Sequence, residues 1–361
     1  MRTTRPWGRS RRHAALGVPA GQLTLLPVSA TGLAPAPHAV APEDPNELLR
    51  AADYVVVSSS GGKDSQAAAS HVAARHRTLG ARGQLVVVHA DLGDAEWPGA
   101  RELAERQAVL LGARFAVVRA DGSLLERTVR RHERLRAKAH AEAARQGADP
   151  NAATVAPAWP SARARWCTSD LKRGPIRKLF TALAGEARQA GITRPVRILS
   201  CIGQRAAESS ARARLAPVQA DTGASSGRKT VTIWRPIHSW SDADVWREIA
   251  RSGLPYHRAY DWGMSRLSCR FCVLGCTSDL VLAARLAPEA AAEYATVEAS
   301  VGATFRHRLS MGEVIERAAA LDRAHGPAPR PPAGTALARY VGRRTTANYL
   351  TRVHEGLEHA A

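Results

Sequence analysis

Two sets of residues have types and spacings that do chemistry. The first is Ser60-Gly61-Gly62-Lys63-Asp64-Ser65. Paired glycines let backbone N–H groups turn toward an anion, and a helix starting behind them adds the positive end of its dipole. Lys63 brings a point charge, so the segment reads as a phosphate cradle. It lacks the four residues that separate the first glycine from Gly-Lys in a Walker A loop, which excludes an ordinary P-loop kinase or ATPase. The second set is made of thiols. Cys269, Cys272 and Cys276 fall within eight residues, and distant Cys167 supplies a fourth. Four thiolates suit an iron–sulfur cluster or zinc, and the three-cysteine spacing does not choose between metals. Cys201 lies inside an apolar run and reads as structural.

Positioning the cradle takes a parallel sheet. Asp53 to Ser58 is a β-branched run that predicts a strand, and Gln66 to Arg77 predicts an Ala-rich helix behind the glycines. The order repeats: Gln84 to His89 is an apolar strand, Asp91-Leu92-Gly93 a turn, Gly99 to Leu111 a helix. Arg114 to Arg119, Arg197 to Ile202 and Val231 to Ile237 complete an expected five strands. Continuous apolar strands alternating with helices imply a sheet covered on both faces, with ligands beyond the carboxyl ends of the strands. Residues 122 to 147 predict a long charged helix, and Pro150 to Pro160 breaks regular structure before a basic segment, Arg163 to Lys178, expected to loop over the site. Ser241 is the expected N-cap of a helix through Arg251, and 280 to 323 is mainly helical. The expected division is a basic tail without fixed structure at 1–45 and a nucleotide-binding α/β domain at 46–265. A Cys cluster with helical subdomain follows at 266–325, then a tail of unclear structure at 326–361.

Composition sets the limits. The chain has 361 residues, 45% of them hydrophobic, and a net charge of +19, with a pI near 10.9. Such an excess favours an anionic partner, nucleotide or nucleic acid, although an Arg- and Ala-rich composition alone produces the same balance. No run approaches the roughly 18 apolar residues of a membrane span. Five Cys, three of them clustered, do not make a secreted disulfide framework and point to a reducing compartment, the cytoplasm. Arg11-Arg12 precedes an apolar stretch that Pro19 interrupts, a poor fit to a signal peptide.

Placed between a Val-rich strand and a helix, Ser60 to Ser65 resembles the PP-loop of the phosphoadenosine phosphosulfate (PAPS) reductase family, within the adenine nucleotide α-hydrolase-like superfamily. The resemblance runs over residues 50 to 305. It implies a three-layer α/β/α fold with a mainly parallel five-stranded sheet and a helical C-terminal part. It implies an adenine nucleotide held by Ser60, Gly61, Gly62, Lys63, Asp64 and Ser65. His89-Ala90-Asp91-Leu92-Gly93 resembles the family's acidic-Gly turn, so Asp91 and Gly93 would meet the nucleotide or a metal; a turn-forming Asp is the other reading. Arg165 to Pro175 resembles a Cys-containing stretch whose basic groups, Lys172 and Arg173, approach the substrate. Gly203-Gln204-Arg205-Ala206-Ala207-Glu208-Ser209 with Arg212 is similar to a family pattern that puts Arg205 at the cleft for phosphate or sulfate, with Glu208 orienting Arg groups. Lys63, Asp64 and Arg205 become the implied catalytic residues. The Arg235 to Trp246 stretch also matches, its Trp residues read as packing. Iron–sulfur members pair a Cys near Lys172-Arg173 with a downstream C-x2-C, which implies a 4Fe–4S cluster on Cys167, Cys269, Cys272 and Cys276, zinc or free redox thiols being the alternatives.

Two reactions follow. With a sulfonucleotide, a thiolate attacks sulfur and releases an adenosine phosphate and sulfite, Lys63 and Arg205 stabilising the oxyanions. Sulfonucleotide reductases carry that thiol in a C-terminal tail, whereas Val353 to Ala361 has no Cys. With ATP and Mg2+, an acceptor is adenylylated and sulfur replaces the activated group, as in DNA phosphorothioation or tRNA thiolation; DNA or tRNA and a sulfur or electron donor protein are the expected partners. A third reading is a non-catalytic nucleotide or redox sensor. ATP against PAPS or APS, the sulfur acceptor and donor, Fe–S against zinc, and the oligomeric state stay open at this stage.

Overall fold

The computed structural model describes residues 44–358. The basic segment expected at 1–45 lies outside them except for Asp44 and Pro45, which open the first helix: the Asp44 side chain accepts from Asn46 N and Pro45 sits in the first turn. In chain order the elements are α1 (Pro45–Ala51), β1 (Tyr54–Ser59), α2 (Lys63–Thr78), β2 (Gln84–Asp91), α3 (Ala100–Leu110), β3 (Arg114–Arg119) and α4 (Leu124–Arg145). Next come the single turn α5 (Trp166–Thr168), α6 (Gly174–Gln189), β4 (Val196–Ile202), the short α7 (Ser210–Ala213), β5 (Val218–Ala220) and β6 (Lys229–Trp234). α8 (Asp242–Ser252), α9 (Thr277–Leu286), α10 (Pro288–Val301), α11 (Met311–His325) and α12 (Thr335–Glu358) complete the described residues.

The sheet has six strands in the order β3-β2-β1-β4-β6-β5, not the expected five. β1 to β4 and β6 run parallel, and β5 pairs antiparallel with β6 at the edge. Three residues after Pro217, two of them exposed, carry no apolar alternation, which is why β5 leaves no mark in the pattern. The central strands are buried on both faces because their side chains alternate into two apolar layers. Val55, Val57 and Leu199 pack with Ala69, Val72 and Ala73 of α2. Tyr54, Val56, Val88 and Ile198 pack with Phe180, Leu183 and Ala187 of α6. This is the three-layer α/β/α arrangement. The strand order reverses between β1 and β4, and in open α/β sheets the ligand crevice lies at that switch point, beyond the carboxyl ends of the strands.

A third apolar cluster joins α2, α3 and α8 to the C-terminal helices, with Trp246, Tyr256, Phe271, Tyr294, Leu337 and Tyr349 all buried. α12, in the segment read as a tail of unclear structure, is kinked at Gly342, whose φ is 77°. Tyr349 stacks on Tyr256 with ring centroids 5.8 Å apart, and its hydroxyl donates to Leu254 O at 2.9 Å. No helix among the described residues is long and apolar enough to cross a membrane.

Candidate active site

The glycine turn sits at the switch point. Gly61 adopts a φ of +71°, and a Cβ on it would meet Ala100 O at 2.8 Å. A Cβ on Gly203, just past β4, would meet Asp64 O at 2.6 Å, so the turn after β1 closes on the start of α3 and the end of β4 on the first turn of α2. The N–H groups of Gly62, Asp64 and Ser65 have no hydrogen-bond partner among the described residues, as expected of a helix start left open for an anion. Ser60 N donates to Ser65 Oγ at 3.2 Å and Gly61 N to Ser59 Oγ at 3.3 Å. Both bonds hold the turn in shape.

Lys63 is only 6% exposed. Its Nζ lies 3.3 Å from Asp64 Oδ2 and 3.5 Å from Asp242 Oδ1, and it donates to Ser265 O at 3.4 Å. Arg205, 4% exposed, donates from Nε to Asp64 Oδ1 and from Nη2 to Asp242 Oδ1, both at 2.6 Å, and from Nη1 to Trp240 O. Two cations and two carboxylates thus form one interlocked network. Burial opposes the charge on Arg205, and Asp64 and Asp242 outweigh it, raising its pKa above the ordinary value. Arg205, expected to meet phosphate or sulfate directly, is turned inward to hold Asp64. Asp242 is the member that sequence reasoning missed as a functional group: beside the Ser241 N-cap it reads as an ordinary first-turn acid. Its side chain is half exposed, so it is the open edge of the network.

The other expected binding residues divide. Glu208 pairs with Arg212 and accepts from Arg205 N at 2.8 Å, holding the post-β4 loop rather than facing the crevice. Asp91 Oδ1 accepts from Gly93 N at 2.8 Å, the turn-forming role, and Asp91 Oδ2 lies 3.7 Å from Arg119. His89, fully buried one strand over, has Ser59 O at 3.1 Å from Nδ1 and Glu96 Oε2 at 3.0 Å from Nε2. It thereby buttresses the carboxyl end of β1. Lys172 and Arg173 fall in a π-helical turn, Ser169–Arg173, between α5 and α6. Arg173 is exposed, and Lys172 acts electrostatically on the thiols instead.

Those thiols lie beside the cradle. Tyr260 Oη accepts from Lys63 N at 2.8 Å and from Leu267 N at 3.2 Å, which pins the 265–272 segment onto the PP-loop turn. Burial pushes the Cys269 thiol up to about 11; Lys172 pulls it down, and Cys272 and Cys167 add to the rise. Burial also raises Cys167, with Lys172 opposing and Cys272 reinforcing. Cys167, Cys269 and Cys272 therefore share one environment. Cys276 does not. It is exposed and serves as N-cap of α9, accepting from Asp279 N at 3.4 Å, with Ser278 Oγ at 3.1 Å. Among the described residues no group of three or more His, Cys, Asp or Glu side chains is arranged to hold a metal ion, so the expected four-thiolate set is not assembled in this geometry. The Tyr294 ring lies tilted against that of Phe271, between Cys269 and Cys272 in the chain, with centroids 5.0 Å apart. Its buried hydroxyl has no hydrogen-bond partner. Cys201 is fully buried in β4, and burial alone raises its pKa.

An uncharacterised 37.8 kDa protein of Escherichia phage 186, from the gpa 5′ region, is 30% identical over 148 residues. That match spans 41% of this chain and 41% of the phage protein, about two fifths of its length. The phosphoadenylyl-sulfate (PAPS) reductase of Candida auris, solved as a phosphate complex, is similar with a TM-score of 0.36 and 16% identity, over 62% of this chain and 87% of that one. The family model for the phosphoadenosine phosphosulfate reductase domain matches residues 54–278, from the first residue of β1 to the second residue of α9. Since that range takes in the glycine turn, the ion network and the thiol segment, the chain belongs to the phosphoadenosine phosphosulfate reductase family.

Proposed function

We propose that the protein is an enzyme that binds an adenine nucleotide on the Ser60–Ser65 turn and transfers or reduces sulfur with the adjacent thiols. The observation that carries this reading is the Tyr260 link, which puts the Cys269 segment directly against Lys63. The open N–H groups of Gly62, Asp64 and Ser65 take phosphate or sulfate oxygens. Lys63 compensates their charge, and Arg205 keeps Asp64 facing the crevice. Asp64 and half-exposed Asp242 suit Mg2+, which typically takes one or two carboxylates and completes its shell with substrate phosphates and water. That donor set favours ATP over a sulfonucleotide. A metal ion bound there would offset pyrophosphate charge.

Cys167, Cys269 and Cys272 are the proposed holders of a 4Fe–4S cluster, with zinc as the alternative; Cys276 would have to leave the α9 cap to become a fourth ligand. Binding must displace the protons that the raised pKa values retain on Cys167 and Cys269. Purified protein incubated with ATP, Mg2+, a thiol donor and a nucleic-acid acceptor should release pyrophosphate as the acceptor is adenylylated. Sulfite from PAPS in place of pyrophosphate would redirect the assignment to reduction, and neither product with nucleotide binding intact would leave a sensor. Iron, sulfide and zinc analysis after anaerobic reconstitution decides the cofactor; stoichiometric metal is expected, and none would remove that part of the proposal.

A further inference from the structure

α4 carries seven Lys and Arg residues against three Glu. At about 100° per residue, Arg127, Arg131, Arg134, Lys138 and Arg145 fall within roughly 60° of one another around the helix. The stripe they make is about 27 Å long at 1.5 Å rise per residue. Glu126 and Glu133 lie roughly 100° or more away from the stripe's centre, whereas Glu142 lies about 50° from it and pairs with Arg145 at the stripe's end. Arg127, Arg131, Arg134 and Lys138 follow one another at i,i+3 and i,i+4 spacings, where like charges repel, so this part of the stripe favours an anion laid along it. Arg134 and Lys138 are exposed, and no ion pair or side-chain hydrogen bond engages either among the described residues. The same is true of Arg163 and Arg165 in the loop that follows. The stripe leads to the thiols: Arg131 lies 5.8 Å from the centroid of the Trp166 ring, and Trp166, partly exposed, precedes Cys167.

We infer that α4 and the Arg163–Arg165 loop form the docking surface for a nucleic-acid strand, whose phosphodiester backbone lies along the stripe. The strand would be the acceptor in the sulfur-transfer reading, and the inference rests on that reading only for the reason the strand is brought there. Docking itself needs neither nucleotide nor cofactor. A flexible cation row spaced at successive helical turns suits a repeating polyanion better than a small anion, and it supplies sequence-independent affinity that falls with salt.

The test is fluorescence anisotropy with labelled 20-nucleotide DNA and RNA strands on the full chain. A stripe variant (Arg134→Glu, Lys138→Glu, Arg163→Glu) is compared with a control of equal net charge (Arg188→Glu, Arg317→Glu, Arg323→Glu), in which all three replaced arginines are exposed. The stripe variant should bind at least about tenfold more weakly and lose about three from the slope of log K against log salt. The control should stay within about threefold of wild type on the same scale. Equal losses in both variants, no strand binding by wild type, or equal affinity for polyglutamate of matched length would each overturn the proposal. Adenine-nucleotide affinity measured in parallel should be unchanged in the stripe variant; strand binding without any nucleotide binding in wild type would instead count against the sulfur-transfer reading alone.

Discussion

Cys269 and Cys276 are seven positions apart in the chain and chemically far apart. Burial pushes the Cys269 thiol up to about 11, against the pull of Lys172, whereas Cys276 is exposed at a helix cap. Only the thiolate is a nucleophile, so a raised pKa suppresses reactivity at neutral pH and restores it as pH climbs toward that pKa. Iodoacetamide at pH 7.5 should label Cys276 at least about tenfold faster than Cys269, and the ratio should narrow by pH 10. Peptide mass spectrometry on the unreconstituted protein reads both rates, and equal labelling at pH 7.5 would contradict the environments described. The sequence grouped all four cysteines because spacing alone cannot tell a sulfur turned toward Lys172 from one accepting a backbone N–H. Asp242 escaped for a related reason: its partner, Arg205, is 37 residues away, and a first-turn acid already has a local explanation.

The ion network joins α2, the loop after β4 and the start of α8. Arg205 is its only member bonded to both carboxylates by short charge-assisted hydrogen bonds. Arg205→Ala leaves Asp64 and Asp242 sharing one Lys63 ammonium, and breaking a largely buried ion pair from one side costs about 3 kcal/mol. The urea midpoint should fall accordingly, and nucleotide affinity should drop because Asp64 is no longer held. An unchanged midpoint would mean that water replaces the guanidinium at no cost. The elements themselves were largely legible. β3 begins and ends at Arg114 and Arg119 as read from the sequence, and the α8 cap is Ser241 as read, closed by Asp244 in a capping box. Long β-branched runs and side-chain caps are local signals. β5 and the two halves of α12 are not local: their residues become ordered through β6 and through Tyr256, and neither contact leaves a period in the chain.

At the scale of the molecule, the apolar cluster around Trp246 is continuous from α2 to α12, so the terminal helix is part of the main core. Tyr349→Ala, at a site 2% exposed, should destabilise the whole protein by about 3 kcal/mol in urea unfolding. Tyr349→Phe removes only the bond to Leu254 O and should cost about 1 kcal/mol. A separate, earlier transition for α12 in place of one shifted transition would show that the helix unfolds on its own. The Tyr260 hydroxyl, which accepts at once from the N–H of Lys63 and the N–H of Leu267, has a thermodynamic consequence. Under the proposed function, a nucleotide on the PP-loop and a group held by the thiols would act on one shared hinge pin, and any effect of one on the other's affinity would be returned by the same factor. Tyr260→Phe would cut that exchange of information while leaving both binding surfaces in place.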